Sequence, residues 1–191
     1  MIALRWIVNI VKKDWADNAS TILIFLVAMC LPLFAPGDEL KKEMMAGVLV
    51  GAAYGYAHYI FTMERTRRTL PLMLGLPLRP VPLILGKYVS FYSMALLTVN
   101  VPGIFLLDAR TVYLFNAELL VLGTLCMACT VLSELQFAPM IPLFLVGLAF
   151  QRNTYHDFEP YVFQTATVGL VLSPIIAIVS ALLFKRRVAV R

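Results

Sequence analysis

The chain has 191 residues, of which 61% are hydrophobic and 14% are charged, and its mean hydropathy is +0.84. An ordinary soluble domain carries about 25% charged residues, so this composition excludes a soluble globular protein. Because a bilayer-spanning helix needs roughly 20 apolar residues, the length accommodates about six spans with short connections, in one transmembrane domain over residues 1–191.

The first predicted element is an amphipathic helix over residues 2–16. Apolar residues recur at helical spacing and a tryptophan stands toward each end, which is typical of a helix lying in the membrane interface. No small-residue cleavage site follows an apolar stretch, so we expect no removable signal peptide. The apolar set is Leu4, Ile7, Val8 and Val11, and the charged residues largely outside it are Arg5, Lys12 and Asp14.

Six apolar runs follow, and each is predicted to cross the membrane as a helix. The fifth run is short and contains Pro139 and Pro142. Lys87, near the start of the third run, is expected to snorkel to the membrane surface. The predicted spans cover residues 21–36, 44–63, 82–107, 114–132, 137–150 and 163–184.

The basic residues predict the orientation of these spans. When the spans alternate across the membrane, most Lys and Arg side chains fall on one side, at both ends of the chain and between the second and third spans. The positive-inside rule makes that side cytoplasmic, so both termini are expected there, in a multi-pass protein of a prokaryotic plasma or inner membrane. This distribution accounts for the net charge of +5 without a nucleic-acid partner.

The connection over residues 64–80 carries the most informative pattern in the chain. Charged residues fill its first turns, an apolar face follows, and a proline ends the element. Such a short amphipathic helix either lies on the lipid or docks into a groove of another protein. Its residues are Glu64, Arg65, Arg67, Arg68 and Thr69, followed by Leu70, Met73, Leu74, Leu76 and Pro77.

This stretch, with the sequence that follows it, resembles the signature of type-two ABC exporter permeases. The similarity lies in the acidic-basic, leucine-rich segment, the Leu76-Pro77 pair and the Gly86-Lys87 pair, and Lys13-Asp14 resembles the end of the family's interfacial helix. The resemblance covers essentially the whole chain. It implies a permease that pairs with a second copy or a homologous permease and with two cytoplasmic ATP-binding subunits. It also implies that residues 64–76 form the coupling helix that sits in the ATPase groove.

No catalytic motif is recognisable in the sequence. Gly86-Lys87 lacks the upstream glycine and the following Ser or Thr of a P-loop, so ATP and Mg²⁺ are expected on a partner subunit and the chain is not expected to be an enzyme. Cys126 and Cys129 stand three residues apart, a spacing that invites a soft metal. No His or carboxylate accompanies them in the sequence, and thiols are common apolar filler, so we predict no metal site.

Two further sets of residues are candidates for packing or for the pathway. Gly47, Gly51 and Gly55 repeat every four residues, and small residues at this spacing let helices approach closely in lipid. They predict either packing inside one subunit or a dimer interface. Asn100 and Glu118 are the polar residues nearest mid-membrane, which makes them candidates for the transport pathway.

Two alternatives to an exporter permease remain open at this point. A secondary transporter or small channel without an ATPase usually shows charged or broken helices near the midplane, or inverted repeats, and the sequence shows neither clearly. An intramembrane hydrolase needs paired acidic and His residues at a useful helical spacing, which the sequence lacks. The transported substrate is not specified by the sequence, since peptides, lipids and hydrophobic drugs are all compatible with an apolar path.

Overall fold

The computed structural model describes residues 2–66, 80–133, 138, 140–144 and 159–189. All regular structure in these residues is helical, and this confirms the predicted all-α class. A short 3₁₀ helix, Leu31–Phe34, follows the second helix. The α-helices are α1, Ile2–Asp17; α2, Ala19–Cys30; α3, Asp38–Thr66; α4, Pro80–Leu106; α5, Ala109–Leu132; and α6, Glu159–Ala189.

Three of the described helices are long and apolar enough to cross a membrane, over Pro80–Gly103, Ala109–Leu132 and Thr167–Arg186. A fourth candidate is the pair Leu4–Asp17 and Ala19–Phe34, which is bent by 65°. The described part of the chain is therefore all-helical and has the three or four candidate spans of a membrane protein. The predicted fifth span, 137–150, lies mostly outside the described residues, although residues 140–144 are helical.

The α4–α5 connection is a tight turn that Asp108 caps. Its carboxylate oxygens accept hydrogen bonds from the backbone N–H of Thr111 at 3.0 Å and from the Thr111 hydroxyl at 2.6 Å. The hydroxyl bond first, and then the backbone bond, lower the pKa of Asp108 below its usual value. The carboxylate therefore stays charged at the N-terminus of α5, where the helix dipole favours a negative group.

Contacts between side chains fix the directions of the three long helices. Tyr92 meets Thr124 and Asn100 meets Asn116, so α4 and α5 are antiparallel. Tyr88 near the start of α4 meets Ser180 near the end of α6, so these two helices are antiparallel as well. The start of α4 and the ends of α5 and α6 thus lie together, at what we call the basal end of the bundle.

The core of the bundle is formed by buried side chains of α3, α4, α5 and α6, with smaller contributions from α2. Tyr56, Tyr88, Phe91 and Met94 are among the largest fully buried side chains. The ring of Phe91 lies directly against Gly123 of α5, in the space that a Cβ at that position would occupy. A glycine there lets α4 and α5 approach closely, and van der Waals packing drives such association in lipid.

Candidate functional site

The candidate site is a line of polar side chains along α4, the helix that follows the predicted coupling segment. Each of these side chains bonds to a residue of another helix, so α4 is joined to α1, α3, α5 and α6. Hydrogen bonds of this kind hold helices together where lipid offers no other partner. We call these contacts the α4 polar line: Lys87–Asp14, Tyr88–Ser180, Tyr92–Thr124, Ser93–Trp15, Thr98–Tyr56 and Asn100–Asn116.

The Lys87–Asp14 contact joins two charged side chains of the α4 polar line. The Lys87 Nζ lies 2.6 Å from Oδ1 of Asp14, and the two side chains are 1% and 3% exposed. The prediction that Lys87 snorkels to the membrane surface is therefore wrong. The buried face of α1 is not the predicted apolar set: it carries Ile10, Asp14 and Asn18, whereas Leu4 and Val8 are exposed.

The close packing of α1 on α4 explains how the charges of Asp14 and Lys87 come to be buried. Gly86 lies against the side chain of Ile10, and a Cβ at that glycine would come within 3.1 Å of it. The missing side chain lets α1 approach, so that the next residue, Lys87, reaches Asp14. Six residues after Lys87 on α4, Ser93 accepts a hydrogen bond from Nε1 of Trp15 at 2.8 Å. Asp14 of the Lys13-Asp14 pair thus contacts Lys87 of the Gly86-Lys87 pair.

Three contacts of the α4 polar line join a tyrosine hydroxyl to a Ser or Thr hydroxyl of another helix. Ser180, Thr124 and Thr98 each donate their hydroxyl hydrogen to a carbonyl oxygen of their own helix. A hydroxyl has one hydrogen, so in each contact the tyrosine donates and the Ser or Thr oxygen accepts. The O···O distances are 2.8 Å for Tyr88–Ser180, 3.0 Å for Tyr92–Thr124 and 2.5 Å for Tyr56–Thr98.

Asn100, a predicted pathway residue, pairs with Asn116 of α5. The two amides donate to each other's oxygen at 3.2 and 3.1 Å, and each also donates to a carbonyl of its own helix. Asn100 thus links two helices. Glu118, the other predicted pathway residue, is half-buried on α5. It stands two residues after Asn116, and side chains at this spacing do not share a helix face, so the structure does not bring the two predicted residues together.

The three glycines of α3 differ in their surroundings. A Cβ at Gly55 would lie 2.8 Å from the Phe25 ring of α2, and one at Gly51 would lie 3.8 Å from the same ring. Gly47 has nothing within 4 Å of that position. Gly51 and Gly55 therefore contact another helix of the same subunit, whereas a dimer contact at Gly47 stays a prediction.

The predicted coupling residues fall at the edge of what the structure describes. Glu64 and Arg65 lie in the last turn of α3. The other predicted coupling residues lie outside the described residues: Arg67, Arg68, Thr69, Leu70, Met73, Leu74, Leu76 and Pro77. The structure thus gives the two helices that flank the segment, α3 before it and α4 after it.

The two thiols of α5 lie in the packed part of the helix, with Cys126 buried and Cys129 half-buried. In the described ranges of the chain, no three His, Cys, Asp or Glu side chains lie close enough together to hold a metal ion.

Comparisons with protein-family models, with curated proteins and with solved structures find no match to this chain. The described residues form a helical bundle with three or four candidate membrane spans, and the α4 polar line links α4 to four of the other helices.

Proposed function

We propose that this chain is the membrane permease subunit of an ATP-driven ABC exporter. A second copy or a homologous permease completes the translocation pathway, and two separate cytoplasmic subunits bind ATP and Mg²⁺. The protein lies in a prokaryotic plasma or inner membrane with both termini in the cytoplasm. The observation that carries the proposal is the place of α4: it directly follows the segment that resembles a coupling helix, and its polar line reaches four other helices.

The proposed mechanism uses α4 to pass a displacement from the ATPase to the bundle. Closure of the ATP-binding subunits moves residues 64–76, which are covalently joined to the start of α4. Because Lys87, Tyr88 and Tyr92 bind three different helices, a displacement of the first turns of α4 acts directly on α1, α6 and α5. Such linked helices shift as a unit, which is one of the ways in which proteins switch between two states.

The basal end of the bundle supports the proposed orientation. The segment 64–80 joins the basal end through α4, and α1 is anchored there through the Lys87–Asp14 pair. Exposed cations of α1 and of the last described turns of α6 lie at the same end. A basic end of this kind faces the cytoplasm, which is where an ATP-binding partner has to dock.

The proposal predicts that the apolar face of the coupling segment touches an ATP-binding protein in living cells. A photoreactive amino acid in place of Leu74 is expected to crosslink, on irradiation, to a chain that carries a P-loop, identified by mass spectrometry. The matched control places the same photoreactive residue at Tyr155, in the loop predicted on the opposite side of the membrane. Adducts at position 74 that contain lipid alone would contradict the proposal.

A further inference from the structure

We infer that the basal end of the bundle carries a binding surface for anionic phospholipid headgroups. We call it the basic collar, and it consists of Arg5, Lys12 and Lys13 of α1 with Lys185 and Arg186 of α6. The basic collar shares no residue with the predicted coupling segment.

The fold brings the two parts of the basic collar to one level. Asp14 of α1 is bound to Lys87, and the next residue of α4, Tyr88, is bound to Ser180 of α6. Lys185 stands five residues after Ser180, about 7.5 Å further along the helix toward the basal end. Lys12 and Lys13 of α1 and Lys185 and Arg186 of α6 therefore lie near the start of α4, although they are far apart in the sequence, and Arg5 extends the surface along α1.

The basic collar carries a net positive charge. All five cations are exposed. Of the two carboxylates of α1, Asp14 is buried against Lys87, and Asp17 lies 3.0 Å from Lys13. The acidic side chains of α1 are thus engaged by lysines, and the charge that α1 presents outward is positive. An anionic surface is the complementary partner.

Exposed apolar side chains beside these cations point to a lipid surface. Leu4, Trp6 and Val8 of α1 are 68%, 37% and 44% exposed. They belong to α1, which forms a bent candidate span together with α2. A helix that offers both apolar side chains and cations at the level of the headgroups binds the interface, with its cations on anionic lipids. A nucleic acid would leave the apolar side chains unused.

The chain contains its own probe for this surface, because both of its tryptophans, Trp6 and Trp15, lie in α1. The full-length protein is reconstituted in bilayers that contain either brominated phosphatidylglycerol or brominated phosphatidylcholine, and quenching of tryptophan fluorescence gives the relative binding constant of the two lipids at α1. We expect stronger quenching by the anionic lipid. The relative binding constant in favour of the anionic lipid should fall about fivefold for each cation removed, first in Lys12→Gln and then in Arg5→Gln/Lys12→Gln.

The matched control is Arg110→Gln, which removes one exposed cation at the opposite end of the bundle, at the start of α5. The tryptophan fluorescence of this variant should be quenched by the two lipids to the same extents as in the wild type. Equal quenching by the two lipids in the wild-type protein would overturn the inference, and so would an equal loss in the control. Added salt tests the same contact without any substitution: the anionic lipid must lose its advantage as the ionic strength rises, and an advantage unaffected by salt would also overturn the inference.

Discussion

The Lys87→Met variant is expected to lose about 3–5 kcal/mol of stability, because it leaves the carboxylate of Asp14 buried without its countercharge. The two atoms of this pair are 2.6 Å apart, and both side chains are almost fully buried. The pair itself adds little net stability, since burying two charges costs nearly as much as their attraction returns. The large effect arises only when one partner is removed.

The second half of this prediction is recovery in the double variant Asp14→Leu/Lys87→Met. Removing both charges should restore most of the lost stability, and a double-mutant cycle from unfolding in detergent gives the coupling energy. Lys12→Met is the matched control, because it makes the same substitution at an exposed site, and it should change stability by less than about 0.5 kcal/mol. Equal stability of Lys87→Met and Lys12→Met would contradict the buried ion pair.

The Gly123→Ala variant should lose about 1–3 kcal/mol, because its methyl group enters space that the Phe91 ring occupies. The ring has little room to move, since Phe91 is fully buried and packs edge-to-face against Tyr56 and Tyr92. Relief of the contact therefore requires α4 and α5 to separate. The separation would weaken the nearby Tyr92–Thr124 hydrogen bond as well.

Gly47→Ala is the matched control for this substitution. It makes the same change on a helix at a position with nothing within 4 Å, and alanine is favoured over glycine in a helix by roughly 0.5–1 kcal/mol. We expect Gly47→Ala to be neutral or slightly stabilising, and Gly123→Ala to unfold at a lower temperature, measured side by side in one detergent. The same stability for both variants would show that α4 and α5 do not pack through Gly123.

Composition and hydropathy predict the all-α class and three of the candidate spans, 82–107, 114–132 and 163–184, for a simple physical reason. A membrane-spanning helix needs a run of about 20 mostly apolar residues, and such a run can be recognised locally in the sequence. The ends are harder to place. The span predicted at 114–132 lies within α5, which begins earlier, at Ala109, because Asp108 caps it and the polar residues Arg110 and Thr111 form its first turn. The predicted span at 82–107 and α4, Pro80–Leu106, differ by one or two residues at each end.

The α4 polar line could not be predicted from the sequence, because its partners are distant in the chain. Asp14 and Lys87 are 73 residues apart, and Tyr88 and Ser180 are 92 apart. One signal was available for the ion pair. Lys87 interrupts an apolar run near the start of the third predicted span. Charges of this kind usually pair with one another inside the bundle.

The measurement that tests the central proposal most directly is affinity purification of the tagged protein from its native host, with mass spectrometry of the chains that co-purify. We predict that an ATP-binding subunit accompanies the wild-type protein. The subunit should be absent from the Glu64→Arg/Leu70→Asp/Leu76→Asp variant, while that variant still inserts in the membrane. If no ATP-binding chain is recovered with the wild-type protein, even after crosslinking, the exporter proposal is wrong.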